Sequence, residues 1–260
     1  MLRRWCILLA MLAVTVGTAF TATSASAAST SGWRFSPGGP ADLVGHGAFG
    51  GLRHQAESTN WSGYAATTGT YTSVSATWVQ PTGICSRGDQ YAAFWVGLDG
   101  YSSSTVEQTG SEVDCIGRTA QYYAWYEMYP GPSENYSNTV KAGDTFNASV
   151  TYNSNNTYTL SIADVTQGWK QSTTQTLAGA SRSSAEAIVE APCCTFFGGI
   201  LPLTDFGSMS FSQSDANGSA IGNAGGVTQI VMVDNRGLDK DSITSLSGGT
   251  SFGATWLRSN

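Results

Sequence analysis

The stretch FNASVTY, residues 146–152, indicates the fold class of this 260-residue chain. Its apolar residues Phe146, Ala148, Val150 and Tyr152 alternate with Asn, Ser and Thr. A period of two places successive side chains on opposite faces of a β-strand, so one face is apolar and the other polar. The stretch therefore predicts a strand that covers a core on one side only.

The same alternation recurs along the chain and is interrupted by short segments rich in Asn, Gly, Ser and Pro. Further apolar sets with this spacing are Val74, Ala76 and Trp78; Tyr158, Leu160 and Ile162; and Ile230 with Met232. The sequence after the first 57 residues has no sustained helical period. Many short strands separated by turns predict an all-β fold, a sandwich of antiparallel sheets.

The first part of the sequence has the features of an export signal. A positively charged start precedes an apolar run that is too short to cross a membrane, and a small-residue cleavage site follows it. We expect residues 1–27 to be a secretory signal peptide and the protein to be secreted. Residues 28–57 are rich in Gly and weakly periodic, which predicts an exposed, flexible linker or short prosegment. Residues 58–260 then form one β-sandwich domain.

The charge and the histidine content exclude several classes of function. The chain has 18 acidic and 12 basic residues and a net charge of −6, which does not favour nucleic acid or an anionic membrane as a partner. Its two histidines, His46 and His54, precede the predicted domain, so that domain has no Ser-His-Asp triad and no His-containing zinc site. We interpret Asp234, Asp239 and Asp241 as loop residues rather than as a calcium site. We expect no metal, no cofactor and a monomer.

The cysteines predict disulfide bonds. Four remain after the predicted signal: Cys85, Cys115, Cys193 and Cys194. An even number in an exported chain favours structural disulfides, and four cysteines allow three connectivities. Because Cys193 and Cys194 are adjacent, one of the alternatives is a bridge between neighbouring residues.

Three predicted strands combine an apolar face with a second face that carries aromatic and acidic side chains. This second face carries Trp95 and Asp99 in AAFWVGLDG (92–100), Trp125 and Glu127 in YYAWYEMYP (122–130), and Glu186 and Glu190 in SAEAIVEAP (184–192). Repeated Trp beside acids is not typical of a solvent-exposed face and predicts a ligand-binding groove. The alternative is that a second sheet or a loop covers these aromatic side chains.

Carboxylates and amides are the groups left for catalysis. Two carboxylates, with Glu127 and Glu190 as the candidates, would suit a glycoside hydrolase, and a glycan-binding module is a related alternative. In a second scheme, one carboxylate activates water while a neutral amide stabilises the oxyanion. The stretch VEQTG, residues 106–110, offers Gln108 as that amide. The residues alone leave both schemes open.

Several stretches taken together resemble one known family. They are STNWSGYAA (58–66), FWVGLDG (94–100), VEQTG (106–110), YAWYEMYP (123–130) and AEAIVEAP (185–192). In this order they resemble the glutamic peptidases, also called eqolisins, a family of exported acid endopeptidases. The resemblance implies a concanavalin-like sandwich of two antiparallel sheets, with a groove on the concave face that binds protein or peptide substrates.

The resemblance also implies roles for individual residues. It assigns catalysis to Gln108 and Glu190, and it assigns Glu186 to the other position of an Ala-Glu pair that is not catalytic. Residues expected to line or support the groove are Trp61, Trp95, Asp99, Trp125 and Glu127. Asp99 and Glu127 are expected to form hydrogen bonds that tune the catalytic centre.

Overall fold

The computed structural model describes residues 38–44, 55–86, 88–193 and 199–260. These residues form sixteen strands and a single 3-10 turn, Ile221–Asn223. The strands are β1 (Ala56–Ser58), β2 (Trp61–Ala66), β3 (Ser73–Val79), β4 (Gln90–Leu98), β5 (Val106–Ile116), β6 (Thr119–Tyr129), β7 (Glu134–Asn135), β8 (Thr145–Tyr152), β9 (Thr157–Asp164), β10 (Trp169–Thr176), β11 (Ala185–Glu190), β12 (Ser208–Ala216), β13 (Ser219–Ala220), β14 (Val227–Met232), β15 (Asp241–Ile243) and β16 (Phe252–Trp256).

The strands form two sheets, as the alternation predicts. The first sheet has the order β1-β14-β2-β11-β4-β5-β6-β7. The second has the order β10-β9-β8-β3-β12-β16-β15, with β13 paired to β12. Among the described strands, β1 and β14 pair in parallel and all other neighbours are antiparallel. The predicted all-β fold is confirmed.

The main core lies where the two sheets face each other. Phe146 on β8 is fully buried and stacks on Trp78 of β3, with ring centroids 5.9 Å apart. Asn147, its neighbour on β8, points to the other face and is exposed. The Trp78 ring nitrogen donates a hydrogen bond to Ser111 on the first sheet, 2.9 Å away, so the indole is satisfied inside the core. Burial of each such large side chain contributes about 1.5–3 kcal/mol to stability.

Strand β14 departs from the one-sided pattern. Ile230, Val231 and Met232 are all buried. Because β14 lies between β1 and β2 inside the sheet, and both of its faces are covered, the alternation of its side chains does not produce an exposed face.

The predicted domain boundary at Ser58 falls inside a strand. Glu57 is buried in β1, and its carbonyl accepts a hydrogen bond from the backbone N–H of Val44 at 2.8 Å. Leu43 also forms a β-bridge with Ser58. Two parts of the predicted linker are described: residues 55–57, which lead into β1, and residues 38–44, which are held along the edge of the first sheet. Asp42 and Leu43 are exposed as expected, whereas Gly38 and Gly39 are buried.

One predicted disulfide is present and a second is partly described. Cys85, between β3 and β4, is bonded to Cys115 near the end of β5. Cys193 is also disulfide-bonded. The predicted signal, His46, His54 and Cys194 lie outside the described residues.

Within residues 38–44, 55–86, 88–193 and 199–260, no helix combines the length and the apolar character required to cross a bilayer.

Strand register places the predicted aromatic and acidic side chains on one face. We call this the outer face of the first sheet, because it points away from the main core. Across β11, β4, β5 and β6 its rows are Glu190, Ala93, Glu112 and Tyr123; Ile188, Trp95, Gly110 and Trp125; and Glu186, Gly97, Gln108 and Glu127. Four strands therefore bring residues from positions 93 to 190 into one small area.

Candidate active site

Glu190 ends strand β11 on the outer face and is fully buried. Its Oε2 accepts a hydrogen bond from the ring nitrogen of Trp95 at 2.8 Å, and its Oε1 accepts one from the backbone N–H of Gly38 at 3.1 Å. Burial raises the pKa of Glu190 well above its usual range. The Gly38 donor opposes this rise, and the nearby negative charge of Glu127 adds to it. The carboxyl group is thus fixed in place with each oxygen bonded.

Gln108 is near the start of β5, two rows from Glu190. Its Nε2 donates two hydrogen bonds, one to Oε2 of Glu127 at 3.1 Å and one to the carbonyl oxygen of Gly38 at 2.7 Å. An amide nitrogen has two hydrogens, so both are used. The amide is therefore oriented with its donor group towards the carbonyl of Gly38.

Gly38 connects these two side chains. Its N–H points at Glu190 and its carbonyl oxygen accepts from Gln108, so one backbone residue touches both groups at once. The distance of 2.7 Å from the carbonyl oxygen to Nε2 is within the range at which an amide donor stabilises a developing oxyanion. The backbone of Gly38 is thus held as a peptide would be between Glu190, which can act as an acid or a base, and Gln108, which can donate to an oxyanion.

Residues 59–252 match the family model described as "Peptidase A4 family". The chain belongs to this family. The peptidase A4 assignment confirms the resemblance noted in the sequence, and it favours a peptidase over a glycoside hydrolase as the function. The protein is a glutamic-type endopeptidase, a hydrolase of peptide bonds.

Named relatives agree with the peptidase A4 assignment, and a solved structure shares the fold. Aspergillopepsin-2 of Aspergillus niger is 27% identical over 224 residues, covering 75% of this chain and 77% of the relative. Scytalidopepsin B of Scytalidium lignicola is 30% identical over 210 residues, covering 75% and 78%. The crystal structure of scytalido-glutamic peptidase with a transition state analog inhibitor is similar in fold, with a TM-score of 0.66 and 24% identity. That match covers 76% of this chain and 98% of the solved chain.

Three indoles of this peptidase A4 chain, those of Trp61, Trp95 and Trp125, are fully buried near Glu190 and Gln108. Trp61 packs edge-on against Trp95, with ring centroids 4.8 Å apart, and Trp95 donates to Glu190. Trp125 lies in the row of Trp95, separated from it by Gly110. A side chain at Gly110 would come within 2.5 Å of the Trp95 Cβ atom, so only glycine allows this close approach. This accounts physically for the glycine of the Gln-Thr-Gly motif.

Glu127 accepts a hydrogen bond from Gln108, whereas Asp99 has other partners. Asp99 accepts hydrogen bonds from the backbone N–H groups of Arg182 and Ser183 at 2.6 and 2.8 Å, and from the hydroxyls of Ser183 and Ser103. Among the described hydrogen bonds, none joins Asp99 to Glu190 or Gln108. Asp99 therefore ties the turn after β4 to the segment that leads into β11, and it influences the centre by positioning that strand.

Glu112 is a buried carboxyl group that the sequence interpretation did not single out. It lies in the row of Glu190, across Ala93, on the same outer face. Burial raises the pKa of Glu112 well above its usual range, and the charges of Asp114 and Glu190 add to the rise. The sequence contains the signal that could have identified Glu112. It follows Gln108 by four residues in the same strand, so the two side chains must share a face.

Glu107 and Glu186 flank the site without joining it. Glu107 is adjacent to Gln108 but points the other way, and burial raises its pKa to about 8. Glu186 lies in the row of Gln108, with Gly97 between them, and burial raises its pKa well above its usual range. Within the described residues, the carboxyl oxygens of both have no hydrogen-bond partner. Both are therefore held as neutral acids.

Of the three aspartates that we interpret as loop residues, Asp241 is instead the first residue of strand β15, so the loop interpretation is wrong for it. Asp234 has partners nearby in the chain. Asp234 accepts from the Arg236 side chain at 2.7 Å and from the backbone N–H of Leu238 at 2.9 Å. Asp241 accepts a hydrogen bond from the Ser62 hydroxyl. In the described part of the chain, no group of three His, Cys, Asp or Glu side chains has the arrangement of a metal site.

Proposed function

We propose that this chain is a secreted endopeptidase that acts at acid pH, as a monomer, by direct attack of water on the peptide carbonyl. Glu190 is the general base and then the general acid, and Gln108 is the oxyanion donor. The observation that supports this assignment is the contact of one peptide residue, Gly38, with both side chains.

The reaction follows from the positions of these groups. The Glu190 carboxylate takes a proton from water, and the resulting hydroxide forms a bond to the carbonyl carbon of the substrate. The carbonyl oxygen becomes an oxyanion that accepts from Nε2 of Gln108. The C–N bond then breaks, and the protonated Glu190 gives its proton to the leaving amine. The products are a carboxylic acid and an amine, and Glu190 is again ionised.

The expected pH range follows from the chemistry of the base. Glu190 must be ionised to take the proton of water and protonated to donate it to the leaving amine, so its pKa in the presence of substrate and water sets the working pH. A glutamate in contact with water has a pKa of about 4.3. We therefore propose that proteolysis peaks below about pH 5.

Three substitutions test the assignment on the secreted protein, with casein cleavage at acid pH as the assay. Glu190→Gln keeps the shape but cannot take the proton of water, so cleavage should fall to background. Gln108→Ala removes one donor and should lower the rate by about 10²–10³. Glu186→Gln is the control on the same strand face and should keep most of the activity, because Glu186 is already neutral in the folded chain. A folded Glu190→Gln protein that still cleaves casein would contradict the assignment, as would loss of activity in Glu186→Gln alone.

Two further measurements address export and cofactors. N-terminal sequencing of the secreted active protein should give a first residue between Ala28 and Ser58. Chelators should leave activity unchanged, since the proposed reaction uses no metal. An active form that retains Met1, or inhibition by a chelator that added zinc reverses, would contradict these proposals.

A further inference from the structure

Lys240 is a cation whose side chain is almost completely buried. Only 3% of the residue is exposed, and it lies directly before β15. Its backbone N–H donates to the carbonyl of Met232 at 2.7 Å, and its own carbonyl accepts from the backbone N–H groups of Leu257 and Arg258. The backbone of Lys240 is therefore fixed on both sides, unlike that of a lysine in a surface loop.

The ammonium group of Lys240 makes no hydrogen bond or ion pair within the part of the chain that the structure describes. Burial lowers its pKa to about 8, and the negative charges of Asp241 and Asp234 oppose that shift, so the group is protonated in acid. Both carboxyl groups bond elsewhere, because Asp241 accepts from the Ser62 hydroxyl and Asp234 accepts from Arg236 at 2.7 Å. A buried charge without a direct partner is costly, so an anion that reached the ammonium would be held strongly.

Lys240 lines a cavity of about 590 Å³ next to the carboxyl ends of the parallel strands β1 and β14. Thr59 and Val233, the residues that directly follow these strands, line it as well. Asp234 is a further lining residue, but the guanidinium of Arg236 pairs with its charge. The cavity therefore presents a positive charge that an acidic group can neutralise.

Residues 38–44 mark a path along which a peptide runs from the catalytic pair to the Lys240 cavity. Gly38 contacts Glu190 and Gln108 through its backbone. Asp42, four residues further along the chain, lines the cavity. A peptide that leaves the catalytic pair in this direction therefore arrives at the cavity with its fourth following residue.

The protein holds this path through backbone atoms of residues 38–44. The N–H of Ala41 donates to the carbonyl of Gly100 at 3.0 Å. The side chain of Asn60 donates to the carbonyl of Pro40 at 3.2 Å and accepts from the N–H of Asp42 at 2.8 Å. Carbonyl groups are present in every peptide and N–H groups in every residue except proline, so the path is open to other sequences.

The side chain of Asp42 indicates which chemistry suits the cavity. Its Oδ2 accepts a hydrogen bond of 2.6 Å from the Thr59 hydroxyl, so a carboxylate lies among the lining residues. Within the described residues, no hydrogen bond or ion pair joins Asp42 to Lys240. A glutamate is longer by one methylene group, so it carries its carboxylate further from the backbone and deeper towards the ammonium.

We propose that the Lys240 cavity is a substrate subsite for an acidic side chain, with glutamate preferred, at the fourth residue after the scissile bond. The inference rests on the proposed catalytic roles of Glu190 and Gln108, because these roles place the scissile carbonyl where the carbonyl of Gly38 lies. A substrate bound in place of residues 38–44 then has its fourth following residue at the position of Asp42. Lys240 determines specificity and takes no part in bond cleavage.

Peptides that differ at a single residue test the subsite on the secreted active protein. One pair carries Glu or Gln at the fourth residue after the scissile bond, and a second pair carries them at the second residue. Values of kcat/KM are measured at about pH 5, where most of the glutamate is ionised, and mass spectrometry confirms that each peptide is cut at the same bond. Glu at the fourth residue should be preferred over Gln by about tenfold, because the ion pair replaces a weaker neutral contact. The second pair should show no preference.

Lys240→Met and Lys170→Met are matched variants for the same assay. Each removes one positive charge and keeps a long side chain, but Lys170 is exposed on β10 in the second sheet. Lys240→Met should abolish the preference for Glu at the fourth residue and cleave the Gln peptide at the wild-type rate. Lys170→Met should keep the wild-type preference.

Binding of an uncleavable analogue separates this proposal from the proposed function. In the analogue a methylene amine replaces the scissile amide, and calorimetry gives Kd for its Glu and Gln forms. If no peptide is cleaved but the Glu form binds about tenfold more tightly and Lys240→Met abolishes the difference, the catalytic assignment fails while the carboxylate site stands. Equal kcat/KM for the Glu and Gln peptides would overturn the subsite and leave the peptidase intact, as would a preference for Glu that persists in folded Lys240→Met.

Discussion

Glu127 holds the side-chain amide of Gln108 through a hydrogen bond of 3.1 Å between Oε2 and Nε2. A carboxylate accepts hydrogen bonds and does not donate them, so it fixes the amide nitrogen, and not the amide oxygen, on the side of the reacting carbonyl. We therefore expect Glu127 to act as a positioning residue, through Gln108.

Glu127→Gln should lower kcat by about tenfold to a hundredfold with little change in KM, because a neutral amide can present either end to Gln108. The substitution also removes a negative charge that raises the pKa of Glu190, so that pKa should fall and the acid limb of the pH–rate profile should move to lower pH. Steady-state kinetics across pH check both effects. A lower kcat with an unmoved acid limb would show that Glu127 does not act on this centre through its charge.

Trp95→Phe should weaken catalysis, and Trp125→Phe should not do so to the same extent. Trp95 donates to the carboxylate of Glu190, and a hydrogen bond to a charged group contributes roughly 1.5–3 kcal/mol, or about 10–100-fold in rate. Trp125 is equally buried on the same face, but its ring nitrogen has no hydrogen-bond partner among the described residues. Both changes remove similar volume, so the difference in kcat/KM between them measures the hydrogen bond. Equal losses would assign the effect to packing.

The buried neutral acids predict a stability that is highest in acid. Burial raises the pKa of Glu107 to about 8 and that of Asp241 to about 7. The folded chain keeps these protons to higher pH than the unfolded chain, so stability is fully present below about pH 4 and is lost as pH rises towards 8. Calorimetric Tm values measured from pH 3 to pH 9 should fall over this interval.

Glu107→Gln tests one contribution to that pH dependence. The amide cannot ionise, so the Tm of the variant should fall less than that of wild type between pH 4 and pH 8. The difference should be about 2–4 °C for each kcal/mol that ionising the buried Glu107 costs the folded chain. The exposed Glu134 provides the control, since Glu134→Gln should leave the pH dependence unchanged. A wild-type Tm that rises between pH 4 and pH 8 would contradict the prediction.

Removal of the Cys85–Cys115 bond should reduce stability but spare catalysis. The bond closes a loop with a sequence separation of 30, and a loop of that length contributes about 3 kcal/mol, or roughly 6–12 °C in Tm. Its two cysteines lie away from the row that contains Gln108 and Glu127. The double variant Cys85→Ser/Cys115→Ser should therefore melt earlier and keep its rate when assayed well below its Tm. A large loss of rate in the folded variant would show that the bond also shapes the site.

Local alternation was sufficient to predict the strands and the shared face of the site. Phe146 and Val150 are buried as their spacing requires, and Glu190 and Trp95 meet because their strands pair in the register that puts both outward. The same rule would have placed Glu112 beside Glu190. It failed for β14, because alternation gives no information on whether a second layer covers the other face.

Contacts made by the backbone could not be predicted from residue types. The hydrogen bond from Gly38 to Glu190 joins residues 152 positions apart and uses no side chain of Gly38. The sequence predicts that Asp99 lines or tunes the catalytic centre, yet its partners include the backbone N–H groups of Arg182 and Ser183, 83 and 84 residues away. Such hydrogen-bond partners depend on where loops cross in the folded chain, and no local sequence pattern reports where they cross.

The position of β2 between β14 and β11 also affects how the chain assembles. Trp61 pairs with Glu190, yet β2 gains its other neighbour only from residues 227–232, so strands from distant parts of the sequence meet at the site. Pairing over such separations carries a large loop-closure entropy and slows folding. A chain still being synthesised lacks β11 until residue 190 is available and lacks β14 until residue 232, so we expect proteolytic activity to arise only late in synthesis.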